Sequence, residues 1–106
     1  MADATEWLYR IQATRVNMLA EGLTPDEQRI VGEHFEYLRS LAARGVLVLA
    51  GRTLTDDEHA FGIVIFKAAN EAEARAVMTA DPAIAKGLMR AELFPYRVAL
   101  LAGRDG

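Results

Sequence analysis

Three features of the 106-residue sequence predict an α+β fold with the element order β-α-β-β-α-β. Two segments carry start and stop signals for helices. The segments around them carry period-two or continuous apolar patterning, and each helical segment lies between strand segments. A chain of this length suits one domain, taken over residues 1–106, with a single thin core.

The first strand is read from Trp7, Tyr9, Ile11 and Ala13, which alternate with Leu8, Arg10, Gln12 and Thr14. A polar segment from Asn17 to Gly22 follows. Thr24 then offers an N-cap, Pro25 suits the first helical position and Glu27 closes a capping box. The first helix is expected to run to about Arg44, with Gly45 as its stop. Val46 to Ala50 is a continuous apolar run between Gly45 and Gly51, the pattern of a buried central strand. A polar connection through Thr55, Asp56, Asp57 and Glu58 leads to a β-rich run from Phe61 to Phe66, and the two runs are expected to pair as a hairpin. Asn70 caps the second helix, with Glu71 and Glu73 in its first turn, where negative charge is favoured. That helix is expected to stop at Ala80 or Asp81, because the residue before Pro82 resists helical geometry. A short turn through Lys86 and Gly87 precedes a last strand, Leu93 to Leu101, and Ala102 to Gly106 reads as a frayed tail.

This order is the split arrangement of the ferredoxin-like fold, a four-stranded antiparallel sheet with both helices on one face. The other sheet face is then uncovered. Leu8 on the first strand, and Val98 to Leu101 on the last, make both faces apolar, so a homodimer through the open sheet face is expected.

Composition excludes several functions. Twelve Lys and Arg against fifteen Asp and Glu give a net charge of −3, which argues against binding a nucleic-acid backbone. With no cysteine there is no thiolate chemistry, disulfide or Cys-ligated metal. The acidic start lacks the pattern of a signal peptide, and no apolar run approaches the ~20 residues of a membrane helix. A soluble, cytoplasmic protein is expected, with no membrane or nucleic-acid partner. No phosphate loop or serine-nucleophile elbow is present.

His34 is the most informative residue. On a wheel of ~100° per residue centred on Leu38, with Val31, Ala42 and Gly45 close to the centre, it falls inside the apolar stripe. It reads either as a partly desolvated proton acceptor or as a core histidine satisfied by backbone groups. Asp81 continues the buried face of the second helix formed by Ala74, Val77 and Met78. A carboxylate there is costly unless paired. With both helices on one sheet face, His34 and Asp81 can meet, and a carboxylate beside an imidazole fixes its tautomer as for a general base. The alternative for Asp81 is an ordinary Asp-Pro turn. Tyr37 and Tyr96 either line a pocket or pack.

The run from Glu33 to Leu41, then Gly45, an apolar strand and Gly51, resembles the YCII-related family. So does the segment Glu71 to Met78, followed by Asp81-Pro82 and Gly87-Leu88. The resemblance spans roughly residues 30 to 98. It implies a dimeric α+β barrel of ferredoxin-like subunits and an active site in which His34 and Asp81 form a dyad. One branch of the family eliminates chloride from a chlorinated hydroxyquinone without a metal. Two positions depart from the family. Arg52 stands where a proline usually follows the glycine matching Gly51, and Ala83 stands where an aromatic residue usually follows the Asp-Pro pair. Both are expected to line the cleft. Arg52 is then either the partner of an anionic substrate or a solvent-facing strand residue.

The reading is a small-molecule enzyme needing no cofactor or metal. It would use a His34–Asp81 dyad for elimination, dehydrohalogenation or isomerisation, with Arg52 and Tyr37 at the substrate. The alternative is a non-catalytic metabolite-binding or assembly module on the same fold.

Overall fold

A computed structural model of the chain describes residues 5–15 and 17–103. Strand β1 (Glu6–Ala13) has the alternation expected of it, and Trp7, Tyr9 and Ile11 are buried on one side. The segment read as merely polar contains a single helical turn, α1 (Met18–Glu21). Met18 anchors it by packing with Ile30 and Leu88 in a small second core.

Helix α2 (Pro25–Ala43) starts as its sequence predicts. The Thr24 hydroxyl accepts the Glu27 N–H at 3.1 Å, and the Glu27 carboxylate accepts the Thr24 N–H at 2.9 Å. It ends at Arg44, and Gly45 takes φ +73°, a left-handed conformation that suits glycine. Its buried residues are Ile30, His34, Leu38 and Leu41. The stripe is therefore centred nearer His34 than the wheel placed it, and Ala42 is exposed.

Strands β2 (Leu47–Arg52) and β3 (Gly62–Lys67) form the expected antiparallel hairpin, with an irregularity between Leu47 and Leu49. The sheet order is β2-β3-β1-β4, so β2 is an edge strand, not the central one its apolar run suggested. It also continues through Gly51 to Arg52. The middle of the sheet belongs to β1 and β3, and Leu49 on the edge is 40% exposed.

Helix α3 (Glu71–Ala80) is capped by Asn70, whose side-chain oxygen accepts the Glu73 N–H at 2.9 Å. After Asp81 a second short helix, α4 (Pro82–Ala85), leads to Gly87 at φ +74° and then to β4 (Met89–Tyr96). The last strand thus lies several residues earlier than Leu93 to Leu101. It pairs with β1 from Ala13–Met89 to Glu6–Tyr96 and stops where that partner ends. Pro95 is tolerated because β4 is an edge strand. Val98 to Leu101 are outside the sheet and Leu100 is 94% exposed, so they do not make a sheet face apolar. The Val98 N–H instead donates to the Glu6 carboxylate at 3.1 Å. Of the tail expected to fray, residues 104–106 lie outside the described residues.

One core joins Trp7, Tyr9, Ile11, Val64 and Phe66 of the sheet to Leu38 and Leu41 of α2 and to Ala74 and Met78 of α3. Both helices therefore cover the same sheet face, as expected of the ferredoxin-like arrangement. The opposite face carries Leu8, with Ile65 and Phe94 as its cross-strand partners, and Leu49 beside Ile65. Among the described residues, no helix is long and apolar enough to cross a membrane.

Candidate active site

Asp81 is both the last cap of α3 and the first cap of α4. Its backbone is extended (φ −63°, ψ 122°), as the residue before a proline prefers. Its Oδ1 accepts the Ala83 N–H at 2.9 Å and so caps the short helix. This is the Asp-Pro turn that the sequence offers as the alternative for Asp81. Yet the carboxylate is completely buried, and one backbone N–H does not satisfy two desolvated oxygens.

Two further donors reach it. His34 Nδ1 lies 2.8 Å from Oδ1 and 2.8 Å from Oδ2. The Tyr9 hydroxyl donates to Oδ2 at 2.8 Å. A carboxylate offers only acceptors, so the imidazole meets it with Nδ1–H. That fixes the tautomer with the proton on Nδ1, and the Nε2 lone pair is left for chemistry. Nε2 has no hydrogen-bond partner among the described residues. Burial, together with the adjacent Asp81 charge and hydrogen bond, pushes the Tyr9 hydroxyl far above its ordinary range. Tyr9 therefore stays a donor.

His34 also lines a cavity of about 490 Å³ between α2, the sheet and the β2–β3 loop. Asp81 and Tyr9 do not line it, so the dyad presents its histidine edge and keeps its carboxylate behind. Ile11, Leu38, Val64 and Met89 supply apolar walls, while Phe35 and Phe61 are aromatic members that remain exposed. The Phe35 ring meets the His34 ring edge to face, with centroids 5.4 Å apart. This is the size and lining of a small-molecule site.

The other expected site residues separate. Arg52 lines the cavity, with its Nε donating to the Thr53 carbonyl at 2.8 Å and its guanidinium 3.6 Å from Asp56. Its side chain is half exposed. Tyr37 is not at the cavity: its hydroxyl donates to the Val77 carbonyl at 2.7 Å, tying α2 to α3. Burial and the nearby Asp81 charge raise its hydroxyl above the usual range. Ala83 does not line the cleft either, being fully buried under the Asp81 turn. Tyr9 was read from the sequence only as one of the alternating residues of the first strand. The available signal was its period-two position between Trp7 and Ile11, since a buried tyrosine hydroxyl needs a partner. Among the described residues, no three His, Asp or Glu side chains gather as a metal site would require.

No curated protein matches the chain. Among solved structures it is similar to 5-chloro-2-hydroxyhydroquinone dehydrochlorinase (TftG) from Burkholderia phenoliruptrix AC1100, in complex with 2,5-dihydroxybenzoquinone. The TM-score is 0.62 at 18% identity, over 86% of this chain and 93% of that one. It is also similar to SnoaB, a cofactor-independent oxygenase from Streptomyces nogalater, with a TM-score of 0.46 at 15% identity, over 93% of this chain and 98% of that one. At 18% identity the likeness to the dehydrochlorinase is one of fold. A family model, the YCII-related domain, matches residues 7–97, and the chain belongs to that family.

Proposed function

We propose that the cavity beside His34 is the active site of a small-molecule enzyme that works without a cofactor, by general acid–base catalysis. The observation that carries this reading is the contact of His34 Nδ1 with both oxygens of the buried Asp81, on a ring that also lines the cavity. Nε2 takes a proton from an acidic C–H or O–H of the substrate, and Asp81 stabilises the imidazolium that forms. In a dehydrohalogenation, the electrons of the broken C–H bond form the new double bond, and halide leaves with the electrons of its own bond. In an isomerisation, the same proton returns to another carbon. The apolar walls and exposed aromatic rings suit a small planar or enolisable substrate, and Arg52 pairs with its anionic group.

The homodimer expected from the sequence remains part of this proposal. The uncovered sheet face, with Leu8, Leu49 and Phe94, supports it, although Val98 to Leu101 no longer do.

The test is turnover of a panel of chlorinated hydroxyhydroquinones and enolisable acids, followed by chloride release and absorbance. The chlorinated compounds are suggested by the dehydrochlorinase whose fold the chain shares, and the acids by the acid–base chemistry of His34. The expected result is turnover by the wild type that His34→Gln abolishes without loss of ligand binding. Ligands that bind tightly and are never converted, with His34→Gln indifferent, would instead make the protein a metabolite-binding module.

A further inference from the structure

Beyond the dyad, one further buried group among the described residues addresses Asp81 through a side chain: Tyr9, on the central strand β1. Both residues are fully shielded from solvent. Oδ1 has the fixed Ala83 N–H as donor and Oδ2 has the Tyr9 hydroxyl, while Nδ1 of His34 stands at the same distance from each. Two donors from two different elements therefore hold the two ends of the carboxylate, and the imidazole sits between them. Without the hydroxyl, only Oδ1 would be held, and Oδ2 would have the imidazole alone.

We infer that Tyr9 is a positioning residue of the proposed acid–base site. It acts through Asp81 to set where the carboxylate stands and how strongly that carboxylate pulls on the Nδ1 proton of His34. This rests on the dyad reading and adds a member to it. Tyr9 is not at the cavity, so it touches no substrate. Its means of action is hydrogen-bond competition. A donor to Oδ2 draws charge from the carboxylate and weakens the carboxylate's bond to the imidazole, because hydrogen bonds in a buried network polarise one another. The sheet also gains a role. Trp7 and Ile11 hold β1 in the core on either side of Tyr9, and the Tyr9 ring packs edge to face on Phe66 at 5.6 Å. The hydroxyl is thus aimed from a central strand packed on both sides of Tyr9 into the core.

The test reads the His34 ring by NMR in the ligand-free protein at a pH where the ring is neutral, so it does not depend on finding a substrate. In the wild type, Nδ1 is expected to be protonated and Nε2 bare. An Nδ1 without a proton would overturn the dyad reading itself. In Tyr9→Phe, the Nδ1 proton is expected to move downfield, because the carboxylate has lost a competing donor. With 3-fluorotyrosine at position 9, whose hydroxyl is a stronger donor, it is expected to move upfield. A protonated Nδ1 whose resonance neither substitution moves would leave the dyad standing and overturn the role of Tyr9. Should Tyr9→Phe fail to fold, the fluorotyrosine protein decides alone, since a merely structural tyrosine would give no upfield shift.

Discussion

Nδ1 of His34 lies 2.8 Å from each carboxylate oxygen of Asp81, a residue 47 positions further along the chain. Neither residue makes the pair alone. His34 is carried inward by the apolar stripe of α2, and Asp81 by the proline that ends α3 and starts α4. Packing both helices on one sheet face brings the two together. The carboxylate is completely buried with three donors around it, so the arrangement is rigid and costly to disturb.

Asp81→Asn tests that cost. The amide keeps one accepting oxygen and turns an NH₂ toward groups that all donate. The Tyr9 hydroxyl can rotate to accept and the amide oxygen can still take the Ala83 N–H, but the NH₂ then stands at hydrogen-bond distance from His34 Nδ1–H, donor against donor, and the charge-assisted bonds are lost. A loss of about 1–3 kcal/mol in urea unfolding is expected from the opposed donors and the lost charge. An Asp81→Asn protein as stable as wild type would mean that the pair is not held as described.

Glu27 couples the start of α2 to Arg15. The Arg15 guanidinium, donating to Glu27 through Nε and Nη2 at 3.1 Å and 2.8 Å, and the Thr24 N–H hold the carboxyl down at about 2. The folded-state value lies below the ordinary 4.5, so the stabilisation is fully present above pH 4.5. It is lost as pH falls from there through about 2. Glu27→Gln keeps the capping-box geometry but removes the charge. Its melting temperature is expected to be below wild type at pH 7, with the gap closing as the pH is lowered toward 2. A gap that does not change with pH would assign the effect to the cap alone.

Local chemistry was legible in the sequence, and tertiary choices were not. Thr24, Pro25 and Glu27 announce the start of α2 because a capping box involves only neighbours. The His34–Asp81 pair could be foreseen because a wheel position and an Asp-Pro stop are also local. The end of β4 could not, because Glu6 on β1 decides it from the other side of the chain. Val46 to Ala50 looked central because an apolar run has the same appearance on an edge strand as in the middle of a sheet. Tyr9 was missed for a different reason: periodicity reports which side chains point inward, and says nothing of the polar tip that one of them carries.

The uncovered sheet face gives a prediction about assembly. Phe94 faces Leu8 across the β1–β4 ladder and is 42% exposed, on a face without Leu100. Phe94→Lys is expected to shift the sedimentation mass toward the monomer while the circular dichroism spectrum stays native, since an exposed edge-strand substitution costs little within one subunit. A wild type that already sediments as a monomer would overturn the proposed homodimer, and a dimer mass unchanged by Phe94→Lys would place its contact elsewhere.

Arg52 separates the two readings its position allows. As a cavity residue it pairs with an anionic substrate; as a plain edge-strand residue it only satisfies the Thr53 carbonyl and meets Asp56. Its side chain is half exposed, so the surface ion pair contributes little and Arg52→Gln should unfold within about 0.5 kcal/mol of wild type. Affinity is the property expected to change. A ligand carboxylate or phenolate that loses a charge-assisted hydrogen bond is expected to bind about tenfold more weakly, equivalent to roughly 1.4 kcal/mol. A neutral analogue of the same shape should bind both proteins equally. Calorimetric titration of the paired ligands against both proteins decides it, because equal weakening of charged and neutral ligands would mean that Arg52 shapes the wall and does not recognise the anion.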